Sequence, residues 1–227
     1  MMHLENTPLT TMRMYSGEYI NPWTMTQEYM RLKDVVHSLT LKNRWNGNTT
    51  ISVPVLLHQV WCVIFALEDG ITDRKLLKTI LEHDCHEAYM GDMPYPIKID
   101  LYEKFPEYKE LDEKLMKLWA EKENLYYPHG EICDKYDILS RDREYQTFLL
   151  TPLEDIGNDP FFRKYYYPFT LNSYAKDNVY PLGEYPLWLS FVKDSFLTIR
   201  RQLNDGTSID KIKYELLHFL EGHTKAE

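Results

Sequence analysis

The chain has 227 residues, 44% of them hydrophobic and 27% charged, with a formal net charge of −9. That length can bury a sizeable core, and nine glycines and twelve prolines are too few for a low-complexity chain. An acidic balance without a Lys/Arg stripe argues against a nucleic-acid polymer as partner, because that affinity comes from neutralised phosphates.

Residues Met1 to Arg13 show neither the apolar segment nor the small-residue cleavage site of a secretory leader, so a cytoplasmic location is expected. The first 24 residues mix Tyr, Gly, Pro and Thr and predict irregular or short extended structure. Helical periodicity follows over Met25 to Leu41, carried by Met30, Leu32, Val35, Val36, Leu39 and Leu41. Asn46-Gly47-Asn48 marks a turn within the loop Lys42 to Thr50. Ser52 is the expected N-cap of the next helix, whose stripe is Val53, Leu56, Leu57, Val60, Trp61, Ile64 and Phe65. The apolar run Val53–Leu67 is interrupted by His58 and Gln59 and falls short of a membrane span, which needs about 20 residues.

Thr72 or Asp73 can cap a third helix with Leu76, Leu77, Ile80 and Leu81 inward. Pro94 and Pro96 predict a break after it. Further helices are expected over Glu107–Leu125 and Glu131–Leu150, then near 185–203 and 208–221, with a Tyr-, Pro- and Asn-rich loop over 151–184. No period-2 strand series appears, so the fold class is all-α. Cys62, Cys85 and Cys133 form no disulfide framework or CxxC knuckle and predict reduced thiols.

Chemistry concentrates at His83-Asp84-Cys85-His86-Glu87. Adjacent residues project about 100° apart on a helix, so His83 and Asp84 can converge on one ion at the helix edge, and Glu87 shares the face of His83. An imidazole with a carboxylate suits a divalent ion of borderline character. By itself such a dipeptide more often caps a helix end. His58 adds a polar ring within an apolar helix, where it needs a partner or a ligand role. Asp137, Arg141 and Glu144 share one face of the 131–150 helix, which read alone is a solvated charged stripe; Asp134 and Asp142 are nearby decoys. His86 fits a residue supporting the site or a surface position, and Cys85 fits packing. The run Tyr165-Tyr166-Tyr167-Pro168-Phe169, with Tyr174 and Tyr180, can stack on a base but is expected to pack its loop against the body.

The order His, His-Asp, Asp, each from a different helix, resembles the HD phosphohydrolase superfamily. Arg44-Trp45-Asn46-Gly47-Asn48-Thr49 with Ser52-Val53 and His58 is similar to the "R-F-N-G-H-T … S-V … H" block of small bacterial and phage members. His83-Asp84-Cys85-His86-Glu87-Ala88-Tyr89, Gly91-Asp92-Met93-Pro94 and Pro96-Ile97-Lys98 resemble their "H-D-A-x-E-A-Y-x-G-D-I-P-x-P-L-K", and Lys135-Tyr136-Asp137 with Glu144 resembles "K-x-A-D … E". Trp45 stands for the usual Phe, Asn48 for His and Tyr136 for Ala. The resemblance covers about residues 16–150 of an expected single domain, with a loop-rich segment and helices over 151–227.

The resemblance implies a single helical HD bundle of the 5′-deoxynucleotidase-like branch, in bacterial and phage forms that hydrolyse deoxynucleoside mono- or triphosphates, dATP among them. It implies His58, His83, Asp84 and Asp137 as ligands of one divalent ion (Zn, Co, Mn, Fe or Mg). Glu87 would orient or deprotonate the attacking water, Arg44 and Lys98 would hold phosphate oxygens, Asp92 would approach the 3′-hydroxyl, and Trp45 would crowd the 2′ position. It further implies a deoxynucleotide as partner, no membrane and a homo-oligomer. A non-catalytic nucleotide sensor and a cyclic-nucleotide phosphodiesterase are the alternatives. A zincin protease is disfavoured, because the order is His-x-x-His-Glu rather than His-Glu-x-x-His.

Overall fold

In the computed structural model, which describes residues 11–170 and 187–224, the chain is all-α apart from one small ribbon. That ribbon pairs β1 (Met12–Arg13) antiparallel with β2 (Tyr19–Ile20), Met12 opposite Ile20. The helices in chain order are α1 (Leu32–Leu41), α2 (Val55–Glu68), α3 (Arg74–Glu82), α4 (Tyr95–Lys104) and α5 (Pro106–Glu123). After them come α6 (Glu131–Glu144), the short α7 (Tyr167–Thr170), α8 (Leu187–Asp205) and α9 (Ile209–Thr224).

α2 is the axis of the bundle. Every residue from Val55 to Leu67 is buried, as befits a helix apolar on nearly all sides. α1, α3, α6, α8 and α9 pack around it. Side chains such as Leu56, Leu57 and Val60 are fully buried, each contributing about 1.5–3 kcal/mol. Trp61 anchors an aromatic cluster, its ring centroid 5.1 Å from Phe161 and 5.9 Å from Phe148, and its indole donates to the Tyr165 carbonyl at 2.8 Å. Among the described residues no helix is long and apolar enough to cross a membrane.

Several sequence expectations need correction. Gln27–Tyr29 forms only a 3-10 turn and α1 starts at Leu32, so Met25 and Met30 are buried from irregular chain rather than from a helix. Ser52 does not cap α2: Pro54 occupies that position, while the Ser52 hydroxyl bonds Asn43 Oδ1 at 2.5 Å. The third helix is capped by Asp73, which accepts from the Leu76 amide. Pro94 and Pro96 open α4 instead of marking only a break, sitting at its N-cap and first turn where a missing N–H costs nothing. α6 gives way to a π-helical segment, Tyr145–Leu150.

The 151–184 region is not simply a loop, since Ile156–Asn158, Phe162–Tyr166 and α7 are helical. Its aromatic run packs inward. Phe169 is fully buried, Tyr165 bonds Glu68 Oε2, and the Tyr166 hydroxyl donates to the Ser52 carbonyl. Tyr174 and Tyr180 lie outside the described residues.

Candidate metal centre

Three helices bring the expected ligands to one point. α2 offers His58 from its second turn, α6 offers Asp137, and His83 caps the C-terminal end of α3. The chain leaves the helix there. Asp84 sits at φ −96°, ψ 9°, and Cys85–Ala88 continues as a tighter 3-10 turn, so His83 and Asp84 are not on a continuous helix edge. Two side chains fix this bend. With its side-chain amide assigned so that the oxygen faces the bend, Gln59, buried on α2, accepts from the backbone amides of Asp84 and Cys85 at 3.2 and 3.3 Å. Lys42 Nζ donates to the Glu87 and Ala88 carbonyls at 2.5 and 3.0 Å.

The tautomers follow from the partners. His83 Nδ1 lies 2.8 Å from the Ile80 carbonyl, which can only accept, so Nδ1 carries the proton. His58 Nδ1 lies 2.6 Å from Glu144 Oε1 and likewise donates. Each ring therefore points its Nε2, the atom that has the lone pair in the neutral form, at the same place. His58 Nε2 is 3.1 Å from Asp137 Oδ1 and 3.6 Å from Asp84 Oδ2, and His83 Nε2 is 3.2 and 3.9 Å from Asp84 and Asp137. One ligand atom from each of the four lies within 4.8 Å of the others. His83 Nε2 is buried with no aligned hydrogen-bond partner despite Asp84 beside it. Two imidazole nitrogens and two carboxylates, with one nitrogen left unsatisfied, fit a divalent ion.

The electrostatics agree. Burial favours the neutral ring, yet Asp84 and Asp137 hold His83 up at about 9, and His58 is raised well above its ordinary value. Burial also works against ionised carboxylates, but His58 and His83 hold Asp137 at about 2, and Asp84 is pulled well below the usual range. The negative field that draws protons onto these imidazoles also attracts a cation.

Arg44 enters the same cluster. Its Nε donates to Glu144 Oε2 at 2.7 Å, and its terminal nitrogens lie 3.7 Å from Asp84 and 4.0 Å from Asp137. It belongs to a turn in which Trp45, Asn46 and Gly47 take φ of 59°, 54° and 74°. The Trp45 indole also donates to Glu144 Oε2, at 3.1 Å. Arg141, on the same face of α6 as Asp137 and Glu144, lines the cavity, but Glu144 is wholly buried and does not belong to a solvated stripe.

A cavity of about 540 Å³ opens on the cluster, within the range of small-molecule sites. Arg44, Trp45, Asp84, Glu87, Asp92, Lys98 and Asp137 all line it, so the structure brings every expected site residue except the two buried histidines to its wall. Glu87 Oε2 is buried without a hydrogen-bond partner, and burial with neighbouring Asp84 and Asp92 pushes this carboxyl well above its usual range. Lys98 is held by Asp112, Nζ to Oδ2 2.8 Å, and Asp112 Oδ1 faces His86 Nε2 at 2.9 Å. His86 is thus a buried support rather than a surface residue.

Sequence reasoning missed three participants: Gln59, Asp112 and Glu144 as a buried anchor. Glu144 carried one signal, its place in the "K-x-A-D … E" pattern. The others are single polar residues whose partners lie far off in sequence.

A helical bundle presenting His, His-Asp and Asp to one point, beside a cavity lined by acidic and basic groups, is an arrangement that could hold a divalent ion. Residues 31–141 match the family model described as HD domain, and this supports placing the chain in the HD-domain superfamily. The match includes all four candidate ligands with Glu87, Asp92 and Lys98, and stops short of Glu144. An uncharacterized protein of Rhodobacter capsulatus is 34% identical over 107 residues, 45% of this chain and 53% of the relative. The chain therefore spans about half the length of the curated relative it matches.

Proposed function

We propose that this protein is a metal-dependent phosphohydrolase acting on deoxynucleoside 5′-phosphates. The HD-domain match suggests the metal-dependent phosphohydrolase class. The observation that carries the reading is the convergence of the His58 and His83 Nε2 atoms with Asp84 and Asp137 oxygens at a cavity that also contains Arg44, Lys98 and an unpartnered Glu87 oxygen. His58, His83, Asp84 and Asp137 would hold the ion. A divalent ion, when bound, supplies Lewis-acid polarisation of a phosphoryl oxygen and acidifies water.

The protein's own groups do the rest. Glu87 Oε2 takes the proton of the attacking water; burial with Asp84 and Asp92 beside it raises this carboxyl and makes its ionised form a stronger base than an ordinary carboxylate. The terminal nitrogens of Arg44 and the ammonium of Lys98 stabilise charge on the phosphate. Lys98 divides its attraction between substrate and Asp112, which keeps it at the wall when no anion is present. Trp45, fixed by its indole bond to Glu144, crowds the 2′ position, and Asp92 accepts from the 3′-hydroxyl.

The deciding experiment incubates the protein with each dNTP, dNMP and matching ribonucleotide under Mn²⁺, Co²⁺, Zn²⁺ and Mg²⁺ and identifies the products. Deoxynucleotides are expected to be cleaved in preference to ribonucleotides. Failure to cleave any of them with ion bound overturns the catalytic reading, and equal rates on both sugars overturn the roles given to Trp45 and Asp92. His83→Ala and Asp84→Ala are each expected to lose bound ion and activity together.

A further inference from the structure

Glu144 is wholly buried, and each of its oxygens serves a different half of the site. Oε1 faces His58 Nδ1 at 2.6 Å and accepts from the Ser140 hydroxyl at 2.9 Å. Oε2 accepts from Arg44 Nε at 2.7 Å and from the Trp45 indole at 3.1 Å. All four neighbours arrive as donors. Arg44 Nε–H and the indole N–H can only donate, and His58 must donate from Nδ1 if its Nε2 is to keep a lone pair for an ion.

We infer that Glu144 is a positioning residue that couples ion retention to substrate grip and sugar choice, a role only an all-acceptor side chain can fill here. The inference rests on the metal-centre reading above. An amide of the same shape cannot replace it. With its NH₂ toward His58, a glutamine donates to Nδ1 and drives the ring proton to Nε2, removing the ion's ligand. With its oxygen toward His58, it turns NH₂ against Arg44 Nε–H and the indole N–H, two donors with nothing to accept. One half of the site fails in either orientation.

Neighbouring substitutions separate the halves. Ser140 touches only the Oε1 side, whereas Trp45→Phe removes the indole donor on Oε2 together with part of the ring at the cavity wall, and leaves the Oε1 side untouched. Loss of a group that orients a metal-ligating histidine typically costs about 10–100-fold in metal affinity or activity.

The test measures Mn²⁺ and Zn²⁺ affinity by chelator competition, and the deoxy-to-ribo ratio of kcat/KM, for wild type, Glu144→Gln, Ser140→Ala and Trp45→Phe. Glu144→Gln is expected to lose about 10–100-fold in ion affinity or to relax the sugar ratio several-fold, with far-ultraviolet circular dichroism unchanged. Ser140→Ala should leave the ratio unmoved, and Trp45→Phe should leave ion affinity unmoved. A Glu144→Gln protein that keeps both wild-type ion affinity and the wild-type ratio overturns the inference.

Nitrogen-15 NMR of the Zn²⁺-loaded wild type supplies a measurement that needs no variant. The His58 proton is expected on Nδ1, and its presence on Nε2 also overturns the inference. A wild type that binds no ion at all instead refutes the metal-centre reading, a different and recognisable result.

Discussion

Replacing Asp112 by asparagine tests the polar hub behind the Lys98 wall. Asp112 is 3% exposed and holds three partners: His86 Nε2 at 2.9 Å, Lys98 Nζ at 2.8 Å, and the Tyr102 hydroxyl, which donates to Oδ2. Burial disfavours its charge, but His86 and Lys98 hold the carboxyl well below the ordinary range. Breaking a buried pair by removing one partner costs about 3–5 kcal/mol. Lys98 keeps a quarter of its side chain in solvent, so water recovers part of its charge and the lower end applies. Roughly 3 kcal/mol in a chain of this size lowers Tm by about 6–12 °C.

The pH dependence has a definite sign. A carboxyl depressed on folding contributes stability above its unfolded value near 4, and that contribution is lost as pH falls below it toward the folded value. The gap between wild type and Asp112→Asn should therefore be constant from pH 7 to 5 and narrow below pH 4. Thermal unfolding followed by circular dichroism across that range measures it. An unchanged Tm at pH 7, or a gap that persists undiminished in acid, refutes the reasoning.

Ion binding should itself stabilise the fold. Saturation at about 100 times Kd contributes about 2.7 kcal/mol, hence a Tm rise of about 5–11 °C that a chelator reverses and His58→Ala abolishes, as differential scanning calorimetry can show. Trp61→Ala removes the fully buried centre of the aromatic cluster and should cost about 3–5 kcal/mol, read as a lower urea midpoint. Asp73→Ala removes the cap that accepts from Leu76. It should cost only about 1 kcal/mol, and a larger loss would mean that Asp73 also matters through its bond to Tyr126.

How much of this was legible depended on the range of the physics involved. α2, α3 and α5 were readable because periodicity and the Asp73 cap are local, and the His83-Asp84 cluster because its residues are adjacent. Periodicity sets the start of α1 too early because Met25 and Met30 are buried without being helical. Pro94 and Pro96 carry opposite meanings at a helix start and in its interior, which hid α4. Ser52 had the right chemistry for a cap, but extended chain runs through Val53, whose carbonyl accepts from the Arg44 amide, so α2 begins later. Glu144 was visible as part of a pattern, but its role depends on Arg44, 100 residues away. No local rule reports that distance.

The left-handed turn Trp45-Asn46-Gly47 has a consequence for how the cavity can change. Nothing lies within 4 Å of where a Gly47 Cβ would stand, so an alanine there meets open space and is opposed by backbone conformation alone. A β-branched residue at 45 or 46 would be more strongly disfavoured at these positive φ values. The alphabet on this side of the opening is therefore set by the chain's handedness before any ligand is considered. Tyr95 and Ile97 on α4, which also line the cavity, are free of that restriction, with helical backbone and exposed side chains. Variation in what the cavity accepts should accumulate there, while the turn remains narrow in sequence.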